Sequence, residues 1–269
     1  MDKFLDLLRY PIEIETNYST YHLLWLLLYV LLIYYLLKFY RHMDDKHFRI
    51  MLFIVGVFYL IGEVLKLLII WHHDGTWDII YYYIPWQFCS IPIYFMWITA
   101  LIKNKQIYQG FLTFLAFYCI IGGGVTILNP ASVFTDTAFN NLHTLLLHGG
   151  MVVFAIYIIG SNRLDLTFKS FLTSMIIFVG SVVIAIGLNI LFNHLHPGTV
   201  DFFFINHKNI FGPPIVQKVR NFLPYPIYLI SYIVIFSALA FGLFSLERLR
   251  QKLIYKKTSE AEELASDAA

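Results

Sequence analysis

The chain has 269 residues, of which 59% are hydrophobic and 13% are charged, and its formal net charge is +2. This composition excludes an ordinary soluble domain, in which about 25% of residues are charged. No basic patch interleaved with aromatic residues occurs, so we expect no nucleic-acid partner. Both cysteines, Cys89 and Cys119, fall inside apolar segments, which argues against a disulfide framework.

Seven apolar segments are long enough to cross a bilayer, which takes about 20 residues. They cover approximately residues 21–40, 50–71, 79–102, 107–128, 140–160, 170–193 and 223–246. The pattern predicts an all-α, polytopic membrane protein in the cell membrane, built as a seven-transmembrane-helix bundle. We divide the chain into an N-terminal interfacial segment (1–19), the membrane domain (20–250) and a cytosolic tail (251–269). A frayed terminus is the alternative interpretation of the first segment.

Basic residues are distributed unevenly between the two sides of the predicted bundle. Thirteen of the 19 Lys and Arg residues flank the first, third and fifth loops or lie in the tail. Five lie on the opposite side, and Lys66 lies within a span. The positive-inside rule then predicts an outside N-terminus and a cytosolic C-terminus.

The second segment carries Glu63 and Lys66, which share a helix face at i, i+3 spacing. Ionisable residues inside a span are rare and face a cavity or each other. The pair therefore marks either a polar cavity or a structural ion pair between helices.

The third segment is interrupted by Pro85 and Pro92, with Gln87, Cys89 and Ser90 between them. Polar groups and interrupted backbone are tolerated at membrane depth where they line protein or a wet cavity. We therefore predict that this helix faces a polar cavity with Cys89 on its wall. The alternative is that Cys89 is a small buried hydrophobic residue.

Later segments add further polar residues and one long loop. Three consecutive glycines, residues 122–124, permit either close helix packing or a local break. The loop at 194–222 is long enough to fold over the bundle as a lid, or it is a plain linker.

The predicted orientation allows the depth of each polar residue to be estimated at about 1.5 Å per residue. One group shares a layer in the outer half of the bundle: Glu63, Cys89 and His148. A second group lies nearer the outside: Gln87, His143 and Asn189. Together they outline a polar funnel, in which we expect His143, on a different helix face from His148, to be a mouth residue.

A thiol beside a histidine can act as a nucleophile, and a carboxylate can orient the histidine. Cys89, His148 and Glu63 have these residue types, while Gln87 or Asn189 would donate to a developing oxyanion. His148 is alternatively a proton relay or an interhelical hydrogen-bond donor. The outer histidines show no strong ligand spacing, so we expect neither a metal nor another cofactor.

Several short motifs occur in the order typical of one family: IPWQFCSIPIY, GGGVTILNP, HTLLLHGGMV, GLNILFNHLHPGT and LPYPIYL. The chain resembles the YwaF-like bacterial membrane proteins, which are distantly similar to the eukaryotic transmembrane-protein-164 family of lipid acyltransferases. The resemblance implies Cys89 as nucleophile and His148 as its histidine. Gln87 stands where the bacterial pattern usually has a histidine, and Ile190 stands where an aromatic residue is usual.

Our leading hypothesis is a membrane-embedded, cysteine-dependent lipid acyltransferase or lipid hydrolase, with a membrane lipid as substrate or ligand. A small-molecule or proton-coupled transporter would instead use Glu63, Lys66 and His148. A non-catalytic seven-helix receptor or scaffold is the third possibility. The sequence does not define the oligomeric state.

Overall fold

The computed structural model describes residues 2–74, 83–198, 200–208, 212 and 214–267. Within these residues the chain forms α-helices and two 3-10 turns, and it forms no strand. The helices are α1 (Asp2–Leu8), α2 (Thr20–Phe39), α3 (Asp45–Asp74), α4 (Ile91–Leu101), α5 (Lys105–Leu128), α6 (Ala138–Gly160), α7 (Phe168–Leu195), α8 (Pro214–Phe222) and α9 (Tyr225–Asp267). The predicted all-α class is confirmed.

Six of the described helices are long and apolar enough to cross a membrane: α2, α3, α5, α6, α7 and α9. Each coincides with a predicted span. α3 and α9 extend furthest beyond the predicted bounds, and the predicted tail continues the last spanning helix without a break.

The third predicted span differs from the prediction, because among its described residues the continuous helix is α4, which has 11 residues. A helix of that length covers about 16 Å, against about 30 Å of bilayer hydrocarbon. α4 starts where it does because Pro92 lies in its first turn, where the missing proline N–H removes no helical hydrogen bond. Residues 84–90 form bends and turns, and the start of the predicted span, residues 79–82, lies outside the described residues.

Contacts between loops define the two ends of the bundle. At one end, Arg163 from the α6–α7 loop contacts Asp45 of α3 at 2.8 Å, and Arg49 donates to the Ile102 carbonyl after α4 at 2.7 Å. At the other end, Pro11 pairs with Thr137, and His72 contacts Asp6 of α1 at 3.1 Å. Leu5 of α1 is buried, so the N-terminal segment is packed rather than frayed.

The core is aromatic and centres on α5, which is buried along most of its length. Phe88, which precedes Cys89, makes edge-on contacts with Phe178, Phe203 and Phe236. Cys119 of α5 is 2% exposed in this core. The residues before α4 are therefore fixed by packing although they are not helical.

Candidate functional site

Glu63 is the centre of a buried polar cluster that joins three parts of the chain. Its side chain is 1% exposed and forms an ion pair with Lys66, one turn further along α3. Ser90, next to Cys89, donates its hydroxyl to Glu63 Oε1 at 3.4 Å. His143 of α6 places Nε2 at 3.8 Å from the same oxygen. The predicted i, i+3 ion pair is therefore present, and it lies among polar partners from the α4 and α6 regions.

His143 is buried, 6% exposed, and the prediction that it lies at the mouth of a funnel is wrong. The reason is Gly62 on α3, since a Cβ atom there would lie 2.6 Å from His143 Cδ2. The missing side chain lets the imidazole lie against the α3 backbone beside Glu63. A helical-face argument for α6 alone could not detect this space on the neighbouring helix.

His148 is buried one turn further along α6 and is held in a defined tautomer. Its Nδ1 contacts the Thr144 carbonyl at 2.8 Å. A carbonyl accepts only, so Nδ1 carries the proton and Nε2 is left as the basic nitrogen. The two residues that follow, Gly149 and Gly150, give the rings of Tyr29 and Tyr59 room against α6.

Those two tyrosines fix the position of α6 around His148. Tyr29 of α2 donates to the Leu145 carbonyl at 2.9 Å, and Tyr59 of α3 donates to the Leu146 carbonyl at 3.2 Å. The Gly149-Gly150 pair therefore serves helix packing. The sequence analysis did not connect this pair with tyrosines on other helices.

Cys89 is half-buried and packs against the aromatic core, ahead of the N-terminus of α4. Two glycines of α5 let Phe88, next to Cys89, and the backbone of α6 pack closely against the same helix. A Cβ atom at Gly122 would lie 2.5 Å from the Phe88 ring, and one at Gly123 would lie 2.5 Å from the His148 carbonyl oxygen. The predicted close packing at these glycines is confirmed, and the alternative of a local break is wrong, because α5 continues to Leu128.

Glu63 lies between the residues around Cys89 and the helix that carries His148. Its carboxylate accepts a hydrogen bond from Ser90, next to Cys89, and lies 3.8 Å from His143 of α6. Across the described part of the chain, no hydrogen bond joins Cys89 directly to His148. The structure thus places the three side chains in one region, and direct proton transfer between thiol and imidazole stays a prediction.

Gln87 and Asn189 hold a buried loop, defined here as residues 200–206. Gln87 donates Nε2 to the Asp201 carbonyl at 3.1 Å and accepts the Phe203 N–H at 2.9 Å. Asn189 donates Nδ2 to the Phe202 carbonyl at 3.1 Å and accepts the Phe202 N–H at 2.8 Å. The long loop is therefore not a plain linker. The amides predicted as oxyanion donors instead bind the backbone of this loop.

Asp201 and Arg220 form a second buried charged group that the sequence analysis missed. Arg220 Nη1 lies 3.7 Å from Asp201 Oδ2, and the two side chains are 6% and 0% exposed. Asp201 Oδ1 also accepts the Asn206 N–H at 2.6 Å. The apolar run at 202–205 was an available signal, because a solvated loop has no need of three phenylalanines and an isoleucine.

Among the residues that the structure describes, no group of three or more His, Cys, Asp or Glu side chains is arranged to hold a metal ion. The TMEM164 family model matches residues 17–244. No curated protein and no solved structure matches the chain.

Proposed function

The chain belongs to the TMEM164 family of membrane proteins, and on that premise we propose that it is a membrane-embedded, cysteine-dependent lipid acyltransferase or lipid hydrolase. The observation that carries the proposal is the buried Glu63 carboxylate, which is hydrogen-bonded to Ser90 next to Cys89 and lies 3.8 Å from His143 on the helix that carries His148. Buried ionisable groups that face one another inside a bundle are typical of functional sites. The narrower relationship to the YwaF-like bacterial group is part of the same proposal.

In the proposed reaction, Cys89 Sγ attacks the carbonyl carbon of an acyl ester while His148 Nε2 takes the thiol proton. The tetrahedral intermediate collapses to a thioester on Cys89, and the departing lipid alkoxide recovers the proton from His148. An acceptor hydroxyl or water then attacks the thioester and releases the thiol. Transfer to a hydroxyl is the acyltransferase reaction, and transfer to water is the hydrolase reaction.

The surroundings of Cys89 favour coupled transfer of the proton during attack. The thiol packs among aromatic side chains, where a free thiolate is poorly solvated. Glu63, which forms an ion pair with Lys66, would stabilise the His148 imidazolium as it forms. We assign no oxyanion donor, because Gln87 and Asn189 hold the buried loop.

We also propose seven membrane crossings, with the N-terminus outside and the C-terminus cytosolic. The segment at 83–102 would complete the third crossing, since His72 and Ile102 lie at opposite ends of the bundle. The uneven distribution of Lys and Arg supports this orientation. The substrate, a phospholipid or other acyl lipid, would then reach Cys89 laterally from the outer leaflet.

The test compares two single-cysteine substitutions in the purified full chain. Cys89→Ala should abolish acyl transfer from phospholipid and remove the hydroxylamine-sensitive acyl label expected of a thioester. Cys119→Ala is the matched control, because Cys119 is buried in the core and should leave turnover intact. An unchanged rate for Cys89→Ala would end the proposal.

A proton-coupled or small-molecule carrier is the second candidate. The buried Glu63–Lys66 ion pair favours it, because such pairs mark proton and substrate paths in transporters. Uptake into proteoliposomes separates the two functions. A carrier should lose uptake on Glu63→Gln and keep it on Cys89→Ala.

A further inference from the structure

A separate cavity lies at the bundle end where the α2–α3 and α6–α7 loops meet. Its volume is about 320 Å³, and its lining includes Arg41, His42, Asn162 and Arg163. Small-molecule sites range from about 300 to 1,000 Å³, so this cavity is large enough for a compact group. It belongs to the end of the bundle that carries most of the Lys and Arg residues, opposite the end where α1 contacts His72.

The lining carries hydrogen-bond donors that no protein group uses. Within the described part of the chain, Arg41, His42 and the Asn162 side-chain amide make no hydrogen bond or ion pair. Asp45 is the acidic lining residue, and Arg163 already binds it at 2.8 Å. The cavity therefore keeps a net positive charge from Arg41.

Arg163 provides a second guanidinium group in the lining. Its side chain is 9% exposed, and it donates to Asp45 and to the Met43 carbonyl. Its Nε is buried and has no hydrogen-bond acceptor. Nε is closed off from the cavity, so the groups that Arg163 can offer to a ligand are the second N–H bonds of Nη1 and Nη2.

Hydrogen bonds fix the position of the loop that forms one wall of the cavity. Gln109 donates to the Arg163 carbonyl at 3.0 Å and accepts the Asp165 N–H at 2.8 Å, which ties the α6–α7 loop to α5. Asn162 has a left-handed backbone with φ of 55°. Such backbone persists in a non-glycine residue only where the surrounding contacts fix it.

We propose that this cavity is a phosphate-binding site, with Arg41 and Arg163 as the principal ligands. Guanidinium groups bind phosphate oxygens through paired charge-assisted hydrogen bonds, and the cavity offers two of them beside the Asn162 amide. The phosphate belongs either to a phospholipid headgroup at the membrane surface or to a soluble phosphate. The site is independent of the chemistry proposed at Cys89.

The test uses the full chain in detergent with three probes: phosphatidylglycerol, inorganic phosphate and palmitate. Native mass spectrometry measures retained lipid, and thermal unfolding measures the shift in Tm with phosphate. Arg41→Gln should weaken binding about tenfold, which corresponds to about 1.4 kcal/mol. This substitution keeps the test valid if Arg163→Gln does not fold, because Arg41 is exposed and makes no contact that the fold needs.

Arg248→Gln is the matched control, because Arg248 is exposed and lies outside the cavity lining. The substitution removes the same charge as Arg41→Gln. Phosphatidylglycerol retained by the wild type and lost by Arg41→Gln identifies a lipid headgroup, and a phosphate-dependent Tm shift lost in the same variant identifies soluble phosphate. Equal weakening by Arg41→Gln and Arg248→Gln, palmitate retained as well as phosphatidylglycerol, or no binding of either phosphate probe would overturn the proposal.

Discussion

Within the described residues, the buried polar cluster around Asp201 and the one around Glu63 differ in how completely their polar atoms are hydrogen-bonded. Asp201 has Arg220 and the Asn206 N–H as partners, and the loop around it is bound by two side-chain amides. In the Glu63 cluster, His143 Nε2 is buried without a hydrogen bond. Complete pairing indicates a structural role, whereas incomplete pairing leaves atoms available for a substrate or a proton.

The largest expected effect concerns the two buried histidines of α6, His143 in the Glu63 cluster and His148 one turn further along the helix. His148→Gln should lower acyl-transfer activity by about 10²- to 10⁴-fold, because that is the usual contribution of a general base. The same substitution should leave the Tm nearly unchanged. His143→Gln is the control, and an equal loss there would show that the histidine nearer Glu63 is the base.

The Asp201 cluster should respond in stability. Asp201→Asn keeps the side-chain shape but removes the charge that faces buried Arg220, and breaking a buried ion pair from one side should cost about 3–5 kcal/mol of unfolding free energy. Denaturant unfolding in detergent measures this loss. Asp45→Asn is the control, because Asp45 is 81% exposed and its pair with Arg163 should contribute about 0–1 kcal/mol. Comparable losses in the two variants would contradict a structural role for the buried pair.

Replacing either of the two amides that hold the buried loop should have a smaller effect on stability. Asn189→Leu removes the partners of both the Phe202 N–H and the Phe202 carbonyl, and each unpaired group should cost about 1–3 kcal/mol. Gln87→Leu should have a similar effect for the groups that it binds. Limited proteolysis at the loop should accelerate in both variants, and an unchanged cleavage rate would mean that the amides do not hold the loop.

The smallest expected effect tests the packing that places His148. Gly123→Ala would press a methyl group against the His148 carbonyl and should cost about 1–3 kcal/mol. The adjacent Gly124 faces open space, so Gly124→Ala should be neutral or slightly stabilising. Thermal unfolding of the pair measures the difference. Equal Tm values would mean that α5 and α6 can separate without cost.

The spans were predictable because apolar length is a local property of the sequence. The predicted segment at 140–160 and the helix Ala138–Gly160 differ by two residues at one end. The turns at 84–90 were only partly predictable, because two prolines indicate an interruption without indicating where the helix resumes. The candidate site residues were predicted from their type and depth, and their roles stay predictions.

What the sequence could not supply was the shape of the neighbouring helix. His143 is buried because Gly62 lies opposite it and leaves room for the ring. Tyr29 reaches α6 because Gly149 leaves room there. Each depends on a pair of residues far apart in the chain. The roles of Gln87 and Asn189 were missed for the same reason, since both bind a loop that only the folded chain brings near them.

Phe203 and Phe204 have φ values of 59° and 58°, a left-handed backbone that side chains other than glycine rarely adopt. Each costs about 1–3 kcal/mol, and two in succession are not an intrinsic preference of the sequence FFF. A synthetic peptide of residues 200–206 would therefore not keep this shape in water. The conformation is imposed by the rest of the protein, so grafting these residues onto another scaffold would transfer their chemistry without their geometry.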